Sequence, residues 1–341
     1  MNSEVTVGII GAGRIGKLHA QHLALRIPEA KVLAISDIVL EAAQQCADAL
    51  NIPKAAEDYH EILDNPDVTA VIICSSTDTH AQMIEEAAAA GKHIFCEKPI
   101  HFDLALIDQA LAVVEKADVK LQIGFNRRFD PNFKRLYDLI REDAIGQPHL
   151  LHIISRDPTP PPIAYVKVSG GIFLDMTIHD FDMARYLIGS EVEEIYVAGA
   201  VMVDPAIGEA GDIDTTVITL RFENGVIGTI DNSRKAVYGY DQRVEVFGSA
   251  GMIQAANNYP NTVLISDARR VHRDLPLNFF MDRYIESYIA EMQAFITCVR
   301  EDEMPPVTGM DGRVPVVMGY AARKSYTEGR PVKLSEIASL A

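Results

Sequence analysis

Over residues 5 to about 124 the chain repeats one pattern, a short β-branched run followed by an amphipathic, Ala-rich stretch. That rhythm predicts alternating strands and helices. The runs at 5–10, 31–35, 70–74, 93–95 and 120–123 are almost continuously apolar, as strands covered on both faces must be. Helical spacing fills the intervals at 14–25, 39–50, 80–90 and 104–117. Such alternation implies a parallel, doubly wound sheet.

After Gly124 the rhythm changes. A helix is expected over 132–142, a strand over 149–155, a Pro-rich loop at 158–162 and a helix over 176–188. Strand-like runs then follow one another at 192–203, 214–222, 226–232, 243–247 and 252–254, and Asn224-Gly225 reads as a hairpin turn. Two helices, 283–300 and 313–328, close the chain. The expected class is α/β: an N-terminal doubly wound parallel sheet in residues 1–124, then a C-terminal α+β domain on a largely antiparallel open sheet in residues 125–341. With 341 residues, 48% of them hydrophobic, the chain has material for two cores.

Composition narrows the function. No apolar run approaches the roughly 20 residues that cross a bilayer, and Met1-Asn2-Ser3-Glu4 lacks the basic start of a secretory signal, so a cytoplasmic protein is expected. Cys46, Cys74, Cys96 and Cys298 are widely spaced in apolar contexts and read as reduced, buried thiols. Thirty-one basic against 48 acidic residues give a net charge of −17. That field repels nucleic acid and acidic membranes, so neither is expected as a partner, and a neutral small molecule fits better than an anionic substrate.

Gly11-Ala12-Gly13-Arg14-Ile15-Gly16 has the form G-x-G-x-x-G. Alone the hexapeptide is a weak signal, and a tight turn without a ligand is the alternative reading. Here it follows the first strand and opens the first helix, an order that lets backbone N–H groups and the helix N-terminus meet a pyrophosphate. Gly11, Gly13, Arg14, Ile15 and Gly16 are therefore candidate cofactor contacts. Asp37, about 20 residues on, stands where a carboxylate accepts from the adenosine ribose hydroxyls and repels a 2′-phosphate, which favours NAD over NADP. Its alternative is a solvated strand-end carboxylate. Ser75, Ser76, Thr77 and His80 follow the next core strand at the edge where ligands bind; the competing reading is capping of the following helix by Asp78 or Thr79.

The next strand ends in Cys96-Glu97-Lys98-Pro99, and from here the sequence resembles the glucose-fructose oxidoreductase and inositol dehydrogenase family. The resemblance rests on Gly11 to Gly16, Thr77-Asp78-Thr79-His80, Gly91-Lys92-His93, Glu97-Lys98-Pro99 and Gly170-Gly171 through His179-Asp180. The stretches 124–130 and 155–158 are most similar to the family's bacterial inositol dehydrogenases. It implies an N-terminal Rossmann domain, Glu97 and Lys98 at the cofactor, catalysis by Lys98, Asp175 and His179, and a homotetramer built through the second sheet. It also implies NAD-dependent oxidation of a cyclic polyol or sugar, with myo-inositol the leading substrate.

Physical chemistry gives those residues matching roles. An ammonium at Lys98 stabilises developing alkoxide charge; a lone lysine is otherwise a solvated surface residue. Asp175 and His179 are four apart at the start of an expected helix and so share a face, which lets the carboxylate hold an imidazole acting as general base. The competing readings are a hydrogen-bonded core histidine, an N-cap aspartate, Asp182 as the histidine's partner, and Lys98 itself as base. Asn126, Arg127 and Asp157 are candidates to bind substrate hydroxyls in a cleft between the domains, and Tyr238 joins them because Tyr238-Gly239-Tyr240 resembles the family's substrate domain; Arg128 reads equally as a surface cation. No metal is expected, because the cysteines lack metal spacing and His19 and His22 have no evident further ligands. The rival functions are a related sugar or inositol-isomer dehydrogenase and a non-catalytic NAD-binding regulator.

Overall fold

The structure, a computed structural model, describes residues 4–338; Met1 to Ser3, on which part of the signal-peptide reading rests, lie outside the described residues. The first part of the chain runs β1 (Val5–Ile10), α1 (Arg14–Arg26), β2 (Ala30–Ser36), α2 (Leu40–Leu50), β3 (Lys54–Ala56), α3 (His60–Leu63), β4 (Ala70–Ile73), α4 (Thr77–Ala89), β5 (His93–Glu97), α5 (Leu104–Ala117) and β6 (Leu121–Gly124). Its six strands lie in the order β3-β2-β1-β4-β5-β6, and every neighbouring pair is parallel. Periodicity located all but β3 and α3, which at three and four residues are too short to carry a period. The order reverses between β1 and β4, and the ends of these two strands make the crevice in which doubly wound sheets bind ligands. β4 is buried at all four positions, as a strand with helices on both faces requires.

The chain continues through a short 3₁₀ turn at Asn126–Phe129, α6 (Pro131–Arg141), β7 (Pro148–Arg156), α7 (Ile163–Val166), α8 (Ile172–Asp175), α9 (Ile178–Ile188), β8 (Val192–Ala200), α10 (Pro205–Glu209), β9 (Thr215–Phe222), β10 (Ile227–Ser233), β11 (Asp241–Gly248), β12 (Gly251–Ala255), a ribbon of β13 (Ile265–Ser266) with β14 (Val271–His272), and α11 (Phe280–Arg283). Asp130 starts α6 firmly, its side chain accepting from the N–H groups of Asn132 and Phe133 ahead of Pro131 at the first turn. Asn224-Gly225 makes the expected hairpin between β9 and β10, with Gly225 at φ +89°.

Last come α12 (Ile285–Glu301), α13 (Gly309–Glu328), β15 (Val332–Lys333) and α14 (Ser335–Ala338). The second sheet has seven strands in the order β12-β11-β7-β10-β9-β8-β15. It is antiparallel except where β7 and β10 run parallel. Buried and exposed residues alternate along β9, so one face is covered and the other is not. On the uncovered face the register lines up Met252, Phe247, Leu150 and Ile227 in one row across four strands, all substantially exposed.

The chain divides into two compact units, Met1–Phe129 with Glu286–Val314, and Asp130–Ile285 with Pro315–Ala341. The single cut after Gly124 expected from the change of rhythm differs from this division. The reason is α12, whose Met292, Phe295 and Ile296 are buried in one core with Val7, Ile9, Ile35 and Phe95 of the parallel sheet. Pro315, inside α13, stands where the chain passes between the units for the third time. Cys46, Cys96 and Cys298 are buried and Cys74 is half-buried, all four as free thiols. Among the described residues no helix is long and apolar enough to cross a membrane.

Candidate active site

The glycine turn explains itself residue by residue. Gly11 sits at φ +100°, and a Cβ there would lie 2.7 Å from the backbone of Cys74. A Cβ at Gly16 would lie 1.9 Å from the Gly11 carbonyl oxygen, so this residue sets how closely α1 packs on the end of β1. Gly13 is different: a Cβ there meets nothing within 4 Å. It faces open space at the N-terminus of α1, where N–H groups and the helix dipole favour an anion. The three glycines thus divide into turn, open approach and helix packing, the division a dinucleotide pyrophosphate needs.

Asp37, one residue past β2, is held against the same turn. Its Oδ2 accepts from the Ala12 N–H at 2.7 Å and its Oδ1 from Val39 N–H at 2.9 Å, and each oxygen keeps a lone pair for a ribose hydroxyl. The exposed side chains of Ile38 and Val39 beside it offer apolar surface of the kind an adenine covers; sequence reading passed over both. Arg14 is exposed and Ile15 half-buried at the mouth of the turn.

At the end of β4, Ser76 precedes α4 without a side-chain cap, and Asp78 and Thr79 lie inside the first turn. The helix begins at Thr77, earlier than expected, so the capping reading for Asp78 and Thr79 is corrected. Thr79 Oγ1 instead donates back to Ser76 O at 2.8 Å and lies 2.7 Å from Ser75 Oγ. His80 is buried, its ring nitrogens 2.9 Å from Pro99 O and 3.1 Å from Ser75 O. Burial pushes this imidazole below its ordinary range, and a neutral ring donates to only one of the two carbonyls. Its observed task is tying the Ser75 loop to Pro99. The half-buried Lys98 lies between that proline, across a cis peptide bond, and Glu97 at the end of β5. Asn126, Arg127 and Arg128 are buried. Arg128 is no surface cation, since it pairs with Asp311 at 2.9 Å.

In the second unit Asp175 closes α8, and His179 lies in the first turn of α9. The two are therefore not on one continuous helix, and Asp175 is not an N-cap. The helix restarts after Thr177, whose hydroxyl donates to Asn232 at 2.6 Å in the interior. Asp175 accepts from Arg234 Nη1 at 2.8 Å and from the Tyr165 hydroxyl at 2.9 Å. Burial opposes charge on Arg234, but Asp175, Asp157 and Asp212 outweigh it and hold the guanidinium above its usual range. Tyr165 is pushed up by burial and then by Asp175, which keeps its proton in place. Asp157 belongs to this electrostatic group, while Asp182 is fully buried on α9. Arg234 and Tyr165 were missed in the sequence; an arginine directly after a core strand was the one available signal. Tyr238 is bonded on both sides, receiving from Arg156 at 3.0 Å and donating to Asp241 at 2.6 Å. It lines a cavity of about 420 Å³ with Asp241, Arg243 and Tyr259.

A cradle of this kind at the switch point of a parallel sheet defines a dinucleotide-dependent oxidoreductase. Residues 5–125 match the oxidoreductase-family NAD-binding Rossmann fold and residues 133–254 match the GFO/IDH/MocA C-terminal domain; the chain belongs to that family. It is 51% identical to the myo-inositol 2-dehydrogenase of Thermotoga maritima over 97% of this chain and 99% of that one. The crystal structure of a putative myo-inositol dehydrogenase from Sinorhizobium meliloti superposes with a TM-score of 0.93 at 42% identity, covering 97% of this chain and 99% of that one. The scyllo-inositol dehydrogenase of Lactobacillus casei, solved with NAD(H) and scyllo-inositol, gives 0.92 at 29% identity over 98% and 100%.

The cradle makes separable predictions. Gly13→Ala, with open space for its methyl, should leave Tm unchanged and weaken NAD binding by about tenfold or more, roughly 1.4 kcal/mol. Gly16→Ala should lower Tm. The unmodified protein should use NAD at least about tenfold better than NADP, and Asp37→Ser should narrow that ratio. Equal kcat/KM for the two cofactors in the unmodified protein refutes the assignment of Asp37.

Proposed function

We propose that this protein oxidises one secondary alcohol of a cyclic polyol with NAD, and that the polyol is myo-inositol, converted to its 2-ketone. The observation that carries the reading is Asp175. Arg234 and Tyr165 pin its carboxylate, yet its side chain keeps 14% exposure. A carboxylate held this firmly with part of its surface open is suited to orient a proton acceptor. The full-length similarity to a myo-inositol 2-dehydrogenase supports the substrate, and a neutral polyol suits a chain of net charge −17.

In this mechanism Gly11, Gly13, Arg14, Ile15, Gly16 and Asp37 bind the cofactor, with Ser75, Ser76 and Thr77 at its nicotinamide side. Bound NAD supplies the hydride acceptor. His179 takes the hydroxyl proton, Asp175 holds the imidazole and stabilises its charged form, and the Lys98 ammonium steadies the oxygen as charge develops. Asn126, Arg127 and Asp157 recognise the other hydroxyls. Tyr238, engaged by Arg156 and Asp241, is left out of that set. Free thiols and NAD chemistry fit the cytoplasm.

The test is the initial rate of NADH formation with inositol isomers, glucose, galactose and ribose. Myo-inositol should give the highest kcat/KM. A higher value for scyllo-inositol, the ligand of the Lactobacillus casei relative, moves the assignment to that isomer, and tight NAD binding without turnover of any polyol makes the protein a regulator. His179→Ala should lower kcat by about 10²- to 10⁴-fold with NAD affinity nearly unchanged. Near-normal kcat in that variant, with loss in Lys98→Met, assigns the base to Lys98.

The uncovered face of the second sheet we assign to a further copy of this chain, within a homotetramer. The row of Met252, Phe247, Leu150 and Ile227 is apolar and exposed, and two such rows bury each other across a twofold axis. Light scattering at micromolar concentration should give four times the chain mass, and Phe247→Glu with Ile227→Lys should reduce it. A monomeric mass for the unmodified protein refutes this assembly.

A further inference from the structure

Beside the end of β5 lies a polar cluster contained wholly in the first unit. His19 Nε2 lies 2.8 Å from Glu97 Oε1, and Glu291 on α12 brings a second carboxylate to the same place. One nitrogen or carboxylate oxygen from each of the three lies within 4.8 Å of the others. His19 belongs to α1, the helix that the glycine turn opens, and Glu97 directly precedes Lys98.

Glu291 is 0% exposed, and neither of its carboxylate oxygens has a hydrogen-bond partner among the described residues. Gln122, on β6, directs its amide to the Glu291 backbone carbonyl at 3.0 Å rather than to the carboxylate. Cys74 after β4 and Cys96 on β5 are thiols pushed well up by burial and then by Glu97. Phe95 and Tyr288 meet His19 with ring edges at 5.3 and 5.7 Å. Among these neighbours only His19, whose Nε2 is bonded to Glu97, can carry a positive charge. Two carboxylates this close, one fully buried and the other only partly exposed, cannot both stay ionised without compensation. Burial first, and then the charge of Glu97, push the Glu291 carboxyl well above its ordinary range.

The compensating species is a proton or a cation. A histidine with two carboxylates is a donor set for a divalent ion, but a ligating histidine ordinarily passes its other ring nitrogen to an acceptor. His19 Nδ1 is buried with no partner among the described residues. We propose that Glu291 and Glu97 share a single proton, and that the chain His19–Glu97–Glu291 is a positioning device that fixes the strand end carrying Lys98 to helix α1. Glu291 is the neutral acid of the pair, within 4.8 Å of the Glu97 carboxylate, whose Oε1 lies 2.8 Å from His19 Nε2. Gly124 leaves room for that carboxylate, since a Cβ there would lie 2.9 Å from Glu97 Oε2. The catalytic consequence rests on the proposed role of Lys98; the shared proton does not.

The unmodified protein and Glu291→Gln, whose amide reproduces the donating acid, decide the matter with Glu291→Leu. Infrared difference spectra at neutral pH should show a protonated-carboxyl C=O stretch that Glu291→Gln removes; no such band overturns the proposal, as does a stoichiometric divalent metal in the purified protein. In the unfolded chain Glu291 ionises above its ordinary 4.5, while the fold keeps its proton, so this group costs the unmodified protein stability as pH rises. The Tm of Glu291→Gln relative to the unmodified protein should therefore climb from about pH 5 to about pH 8, and a flat difference overturns the proposal. These readouts stand even if no polyol is oxidised. Where turnover is measurable, Glu291→Gln should keep kcat within about twofold and Glu291→Leu should lose about 10- to 100-fold at unchanged NAD affinity. Equal losses in both variants, or none in Glu291→Leu, remove the positioning role.

Discussion

The close approach of helix α1 to the ends of β1 and β4 is the constraint on which the first unit depends. Gly16 leaves no room for a side chain beside the Gly11 carbonyl, and Gly11 leaves none beside Cys74. That contact aims the first-turn N–H groups of α1 into the crevice and brings Asp37 to Ala12. It also carries His19, one turn further along, to Glu97. A single packing distance thereby sets the N-terminus of α1, Asp37 and Glu97.

Buried charge is handled in two ways in this molecule. Asp130 is paired with Arg283 inside the second unit, and Asp175 with Arg234. In each case a guanidinium supplies planar donors that match a carboxylate. Pairing of this kind fixes geometry strongly while leaving net stability close to neutral, because desolvation offsets most of the Coulomb attraction. Glu291 has no such partner. In the proposed arrangement a proton is the compensation there, and it leaves the cluster sensitive to anything that changes the charge of Glu97.

Much of this was legible in the sequence, and the failures share a cause. Strand β1 and helix α5 were located to the residue, because each carries an unbroken period and clear boundaries. The glycine turn and Asp37 were legible because their chemistry is local. Tertiary placement was not. The core role of α12 gave an amphipathic signal indistinguishable from that of any surface helix. The spacing of Asp175 and His179 suggested one helix face, but the chain breaks at Thr177, where a buried bond to Asn232 prevails over helical continuity. The bonds of His80 to Pro99 and of Glu97 to His19 join residues 19 and 78 apart, which no local motif announces. Arg234, Tyr165 and Glu291 lie 59, 10 and, for Glu291 from His19, far more residues away from the groups they serve, beyond the reach of any short pattern.

The proposed reaction passes a hydride directly from a ring carbon of myo-inositol to the nicotinamide. It is tested most directly by incubating the protein with NAD and myo-inositol deuterated at C2, then examining the NADH by mass and NMR spectroscopy. One deuterium is expected, at nicotinamide C4, with the label absent from solvent. NADH formed without deuterium, or no NADH at all, contradicts it.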